Sequence, residues 1–191
     1  YAVMILSLEI LRGLSLPRWA AWSVGLVVFI AILAKTVGGF NMDSMNVYGR
    51  VTGLGVTGYG QSDFDERLAA AVQPQGRSLV PDYENAAGTY YRSDHFPLAK
   101  RGVPMAYAGS RGEFRDEPIA ERQAARSDYG AKRYHQAADE WSPDWDYSGM
   151  IEDLTVFYDV GRALANGRDW PEWKSGSEFG PVRAVSAAER R

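Results

Sequence analysis

With 191 residues the chain can bury one good core, and a single domain is the expectation. Its 21 basic and 24 acidic residues leave a net charge of −3, which argues against nucleic acid, a partner that calls for a basic face. The absence of cysteine excludes disulfides and thiolate zinc sites, so histidine and carboxylate are the metal ligands on offer.

The texture changes near Lys35. Before it, Glu9 is the only acidic residue, and residues 19–34 form an uncharged, almost wholly apolar run of 16. A bilayer crossing takes roughly 17–25 such residues. The run therefore reads first as a buried helix or a foreign leader and second as a membrane contact. From Thr36 onward the pattern is that of an α/β protein. Residues 36–42 read as a short strand ending on Asp43, and residues 51–59 as a second strand punctuated by glycines. A helix is expected over 62–72, with Asp65 and Glu66 in its first turn favouring the positive end of the helix dipole. Residues 103–108 read as a strand entered through Pro104, and the charge-rich stretch 113–132 as a solvated loop or short helix. The clearest helix covers 148–165: Met150, Ile151, Leu154, Phe157, Tyr158, Gly161 and Leu164 recur at helical spacing, and Asn166-Gly167 supplies a stop.

The string Gly53-Leu54-Gly55-Val56-Thr57-Gly58 satisfies a GxGxxG pattern, with Asp82 or Glu84 as an acidic residue further on. In a dinucleotide fold those glycines stand in the turn between strand and helix. Here they fall inside the predicted strand, so an oxidoreductase is a minor reading.

Three blocks carry chemistry. The first is Phe40-Asn41-Met42-Asp43-Ser44-Met45-Asn46, with a carboxylate at the end of a strand, where ligands gather in open α/β sheets. The second is Tyr91-Arg92-Ser93-Asp94-His95-Phe96-Pro97-Leu98, followed by Lys100-Arg101-Gly102-Val103-Pro104. The third is Tyr134-His135-Gln136-Ala137-Ala138-Asp139-Glu140, followed by Ser142-Pro143-Asp144-Trp145-Asp146. The chain's 2 histidines both lie in these blocks. On their own terms, Asp43 could be a turn or helix-capping aspartate, and Tyr134 ordinary packing. Asp43, His95 and His135 could also form a mononuclear zinc triad, since a carboxylate with two histidines is a known catalytic set.

Together the blocks resemble the catalytic half of the cocatalytic zinc aminopeptidases, metallopeptidase family 28. The resemblance implies a three-layer α/β sandwich with a mixed central sheet and two zinc ions held by five side chains. It gives Asp43 and His135 to the metal and Tyr134 to the developing oxyanion. Ser93, Asp94 and His95 fall to the active-site wall, as second-shell or substrate-facing groups. Peptide substrates follow from the same likeness, and a periplasmic or secreted location is favoured. Glutaminyl cyclases, which share the fold and a similar Asp-His-x-Pro-Phe block but use one zinc, are the alternative enzyme.

The resemblance also exposes a gap. The family's Glu-Glu pair, general base and zinc ligand, would stand at Ser15-Leu16, and Glu9 lacks the expected surroundings. Residues 1–34 thus read as an apolar leader foreign to the family, and 35–191 as a C-terminal part of the catalytic domain. The expectation is a sandwich incomplete on its N-terminal side, inactive as it stands and serving as a fragment or non-catalytic remnant.

Overall fold

The computed structural model describes residues 35–82, 88–185 and 187–190. The apolar leader and Glu84 lie outside the described residues, so the readings made for them have no structural counterpart here. Among the described residues, no helix is long and apolar enough to cross a membrane.

Four strands form one mixed sheet: β1 (Gly39–Asn41), β2 (Val51–Thr57), β3 (Ser78–Pro81) and β4 (Met105–Phe114), in the order β1-β4-β2-β3. β1 runs parallel to β4, with Phe40 opposite Ala106, and β3 runs parallel to β2. β2 and β4 are antiparallel, with Leu54 opposite Ser110 and Val56 opposite Ala108. The helices are α1 (Phe64–Val72), α2 (Thr89–Arg92), α3 (Phe96–Ala99), α4 (Ile119–Lys132), α5 (Ser148–Asn166) and α6 (Gly180–Val185).

Strand alternation sorts the side chains into two faces. Leu54, Val56, Ala106 and Ala108 point to one face and meet Phe64, Leu68 and Val72 of α1 and Val156, Phe157 and Val160 of α5. Phe40 wedges between these helices, its ring 5.7 Å from Phe64 and 5.3 Å from Phe157. Each fully buried side chain of this kind contributes about 1.5–3 kcal/mol by leaving water. On the opposite face Met105 packs with Val103 and Leu98, so α3 covers that side. Helices on both faces of a mixed sheet make this the α/β sandwich the family likeness implies.

One buried ion pair ties the layers together. Arg77, just before β3, meets Asp153 of α5 at 2.7 Å, both side chains fully buried. The other Asp153 oxygen accepts the Ser110 amide (2.9 Å) and hydroxyl (2.8 Å) from β4. Arg77 also donates to the Gly53 carbonyl of β2 at 2.7 Å. At the far end Arg183 of α6, itself buried, donates to the carbonyls of Thr36 (3.0 Å) and Val37 (3.1 Å). That contact fixes the entry to β1, and so the point at which Asp43 emerges. Gly102 allows it: its φ is +81°, and a Cβ there would lie 2.7 Å from the Arg183 amide nitrogen.

Several expectations are corrected. The strand expected over 103–108 begins at Met105 and continues to Phe114, because β2 supplies a pairing partner after the apolar pattern has ended. The stretch expected as loop or short helix over 113–132 contains the end of β4 and a helix of 14 residues. That helix buries no residue, so its periodicity carries no apolar stripe. Its Ala, Glu, Gln, Arg and Lys content favours helix nonetheless. α5 has the expected span and an inner face that matches in part: Phe157 is buried and Leu164 packs on the core as expected, but Val156 and Val160 complete the face, whereas Ile151 and Tyr158 are 60% and 67% exposed. Gly53 and Gly55 of the GxGxxG string are strand packing residues, while Gly58, with φ +76°, lies in the turn after β2 against the Tyr90 ring. A Cβ on Gly53 would meet Val80 at 2.5 Å, and one on Gly55 would meet Arg111 at 3.1 Å. That is strand crowding, not a phosphate-binding turn.

Candidate active site

Asp43 follows β1 by two residues and is exposed to solvent. Its carboxylate accepts the hydroxyl of Ser44 at 3.1 Å. The Tyr107 phenol of β4 lies within electrostatic range of Asp43 and close to Ser93. Burial first, and then the Asp43 charge, raises the Tyr107 pKa above that of an ordinary phenol. Tyr134 is close enough to act electrostatically on the same phenol. Its ring is stacked on His135, with centroids 3.9 Å apart. Tyr107 is thus the residue within electrostatic range of both Asp43 and Tyr134, and Tyr134 carries the stacked His135.

The backbone marks the same two places. Among the described residues, the non-glycine residues with positive φ are Ser44 (+51°) and His135 (+60°). Left-handed backbone costs an L residue roughly 1–2 kcal/mol, and such conformations cluster at functional sites. One strained residue adjoins Asp43, and the other is the histidine itself. His135 lies in the turn that follows α4, with both Tyr134 and His135 largely exposed.

The second block forms a wall. His95 is 1% exposed, its ring 4.5 Å from Tyr90 and 5.4 Å from Tyr107. Neither ring nitrogen has a hydrogen-bond partner among the described residues. Burial drives its pKa down to about 4 against a weaker opposing pull from Asp94. The imidazole is therefore neutral and enclosed at neutral pH. Ser93 donates to the Thr89 carbonyl at 2.8 Å, and Asp94 is exposed. The triad of Asp43, His95 and His135 finds no support: no group of three or more His, Asp or Glu side chains among the described residues could hold a metal.

Asp43 and His135 are donors of the kinds zinc accepts, a carboxylate and an accessible imidazole. A catalytic zinc site takes three protein ligands. The described residues alone therefore do not complete one.

Tyr107 was not visible as a site residue in the sequence. In Met105-Ala106-Tyr107-Ala108 it reads as one more apolar strand position. A strand-end carboxylate paired in space with a phenol on the neighbouring strand becomes apparent only once β1 and β4 are known to pair, with Asn41 opposite Tyr107.

No curated protein and no solved structure matches the chain. The model of Peptidase family M28 matches it over residues 30–158, more than half its length and across all three blocks. A peptidase-type fold, the Asn-Met-Asp strand end and the Tyr-His turn thus stand together in one match, and the chain belongs to Peptidase family M28.

Proposed function

We propose that this protein is a zinc-dependent aminopeptidase domain in which Asp43 and His135 are metal ligands and Tyr134 faces the scissile carbonyl. The observation that supports this best is the peptidase-family match, which spans Asp43, Tyr134 and His135, with the His135 ring stacked on Tyr134. Bound zinc would supply Lewis acidity and an activated water. In this chain's own residues, the Ser44 hydroxyl donates to the Asp43 carboxylate, an outer contact of the kind that orients a ligand. His135, clamped on Tyr134, presents an accessible imidazole. Tyr134 carries a phenol able to donate to an oxyanion. Peptides are the substrates, and the periplasm or the cell exterior is the expected location.

The remaining donors and the general base come from outside the described residues. Among the described residues two donors stand without a third, which favours a second reading: these residues by themselves have negligible turnover. Ser15 and Leu16, where the general base would stand, point the same way, since losing such a base typically costs 10²–10⁴-fold.

The experiment is equilibrium dialysis of the purified chain against zinc, followed by assays with aminoacyl reporter substrates. Near two equivalents of zinc and ordinary turnover would refute the remnant. Little zinc and no turnover would support it. In any active preparation, chelation and His135→Ala should each abolish hydrolysis, and full activity of His135→Ala would overturn the ligand assignment. Cyclisation of N-terminal glutamine without release of amino acids would instead identify a glutaminyl cyclase.

A further inference from the structure

The outer side of α5 carries an apolar ridge that no described element covers. Ile151, Leu154 and Tyr158 recur at helical spacing, opposite the buried Asp153, Val156 and Val160, and are 60%, 41% and 67% exposed. Tyr147, one turn before Ile151 and 40% exposed, extends the line to the start of the helix. Trp141, 68% exposed, joins it by donating its indole N–H to the Tyr147 hydroxyl at 3.0 Å. Single exposed apolar side chains are ordinary, whereas a continuous row of five marks an interaction surface.

Its size fits a second copy of the chain. At roughly 150–250 Å² for a whole aromatic side chain, the three rings and two aliphatic side chains expose on the order of 500 Å². Two such ridges packed together withdraw about 1,000 Å² from water, before the flanking Thr155, Asp159 and Arg162 are included, and specific interfaces begin near that area.

The charges at the two ends of the ridge also fit a second copy, in one orientation. At the Tyr158 end Arg162 lies over the ring, 5.9 Å from its centre, and its contact with Asp159 is a loose one of 3.7 Å between exposed side chains. At the Tyr147 end stand two exposed carboxylates. Glu140 adjoins Trp141, and Asp144 adjoins Trp145, whose ring is 6.1 Å from that of Tyr147. The cations of that end are engaged elsewhere: Lys132 and Arg133 with Asp128, and Arg122 with Asp146. A copy laid antiparallel, with a two-fold axis at Leu154-Thr155, sets Ile151 against Tyr158 of the second copy and Arg162 against its acidic end. Every contact then occurs twice, as an isologous pair requires. A parallel copy would bring like charges together at both ends. The same carboxylates oppose docking on an anionic lipid surface.

We propose that two copies of this chain associate through the α5 ridge as a symmetric, antiparallel dimer.

The test is sedimentation equilibrium of the 191-residue chain across roughly 1–100 µM, the range open to a modest interface. A reversible monomer–dimer equilibrium is expected. Leu154→Glu should weaken it at least about tenfold, because it buries a charge at the centre of the ridge. Should circular dichroism show that variant misfolded, Tyr158→Ser makes the same test at a side chain the fold leaves exposed. Arg162→Glu should also weaken association, and adding Asp144→Arg should restore it towards the parent value, a rescue that unspecific apolar adhesion does not give. A monomer throughout the range, or association that runs on to ever larger species, would overturn the proposal. So would association indifferent to both Leu154→Glu and Tyr158→Ser. Absence of rescue in the double variant would overturn the antiparallel arrangement. A chain that stays monomeric in buffer and sediments with phosphatidylcholine vesicles would show the ridge to be a lipid-binding face instead, and the dimer would fall.

Discussion

His95 and His135 stand in regions built in opposite ways around one phenol-lined corner. His95 belongs to the frame: 1% exposed, between Tyr90 and Tyr107, its imidazole kept neutral by burial. His135 belongs to the connection between α4 and α5, exposed, in left-handed backbone and held by a single ring stack. The contrast separates a histidine that serves packing from one available to a ligand. An enclosed imidazole whose nitrogens face aromatic rings has no path to a metal, whereas an accessible one in strained backbone gives the fold nothing obvious in return for the strain. The match to the family alone does not make this distinction, because both histidines lie in matching blocks.

The frame should respond to substitution far more than the connection. The largest effect is expected at Asp153, whose replacement by alanine leaves Arg77 buried without its partner. Breaking a buried pair in this way costs about 3–5 kcal/mol. Urea unfolding should show the loss as a lowered midpoint. A loss of similar size from His135→Ala would break the comparison, because the connection would then be as integral to stability as the frame.

Next in size is a pH effect specific to His95. Its folded pKa is about 4, below the ordinary 6.5, so between these values the unfolded chain binds more protons than the folded one. Stability contributed by neutral His95 is complete above pH 6.5 and declines as pH falls towards 4, by roughly 3 kcal/mol in all. The groups facing the ring are Tyr90, Tyr107 and Asp94, and none of the first two titrates in that window. Below pH 4 another group takes over: the Ser148 hydroxyl and amide, then Arg122, hold Asp146 down to about 2, so its contribution is lost only on further acidification. Unfolding midpoints measured from pH 7 to 4 should therefore fall less steeply in His95→Leu than in the parent chain. Parallel slopes would show that the enclosed imidazole is not the titrating group.

How much of this was legible in the sequence varied with the physical origin of each feature. α5 was legible as a helix because apolar residues at helical spacing and an Asn-Gly stop mark it. Its buried face was legible only in part: Phe157 and Leu164 belong to the periodic set, but the position of the sheet decides that Val156 and Val160, and not Ile151 and Tyr158, turn inward. α4 left no periodic trace because it lies on the surface, tethered by Arg122 to Asp146 at 2.7 Å and by Arg126 to Phe114. The second half of β4 was hidden for a related reason: Gly109, Ser110, Arg111 and Gly112 look like a turn until β2 is placed beside them. Asp43, Tyr134 and His135 stand out in the sequence as candidates through family-specific strings, whereas the nearness of Tyr107 to Asp43 depends on strand pairing between β1 and β4. Local patterns thus identified elements and a motif, and long-range pairing supplied the contacts between them.

The smallest expected effect tests the backbone at His135 directly. His135→Gly and His135→Ala both remove the imidazole and its stack on Tyr134, so the difference between them reports only the main chain. At an ordinary exposed position alanine is the more stable of the two, by roughly 0.5–1 kcal/mol, because glycine loses more freedom on folding. At a φ of +60° the order should reverse. Alanine keeps the left-handed penalty of roughly 1–2 kcal/mol and glycine escapes it, leaving the glycine variant ahead by about 0.5–1 kcal/mol. Paired urea titrations of the two variants resolve a gap of that size. The same pair at His95 should show no such reversal, because its φ is −72°, where alanine carries no left-handed penalty. If alanine is the more stable residue at both positions, His135 is not held in left-handed backbone in solution, and the strain that sets it apart from His95 is absent.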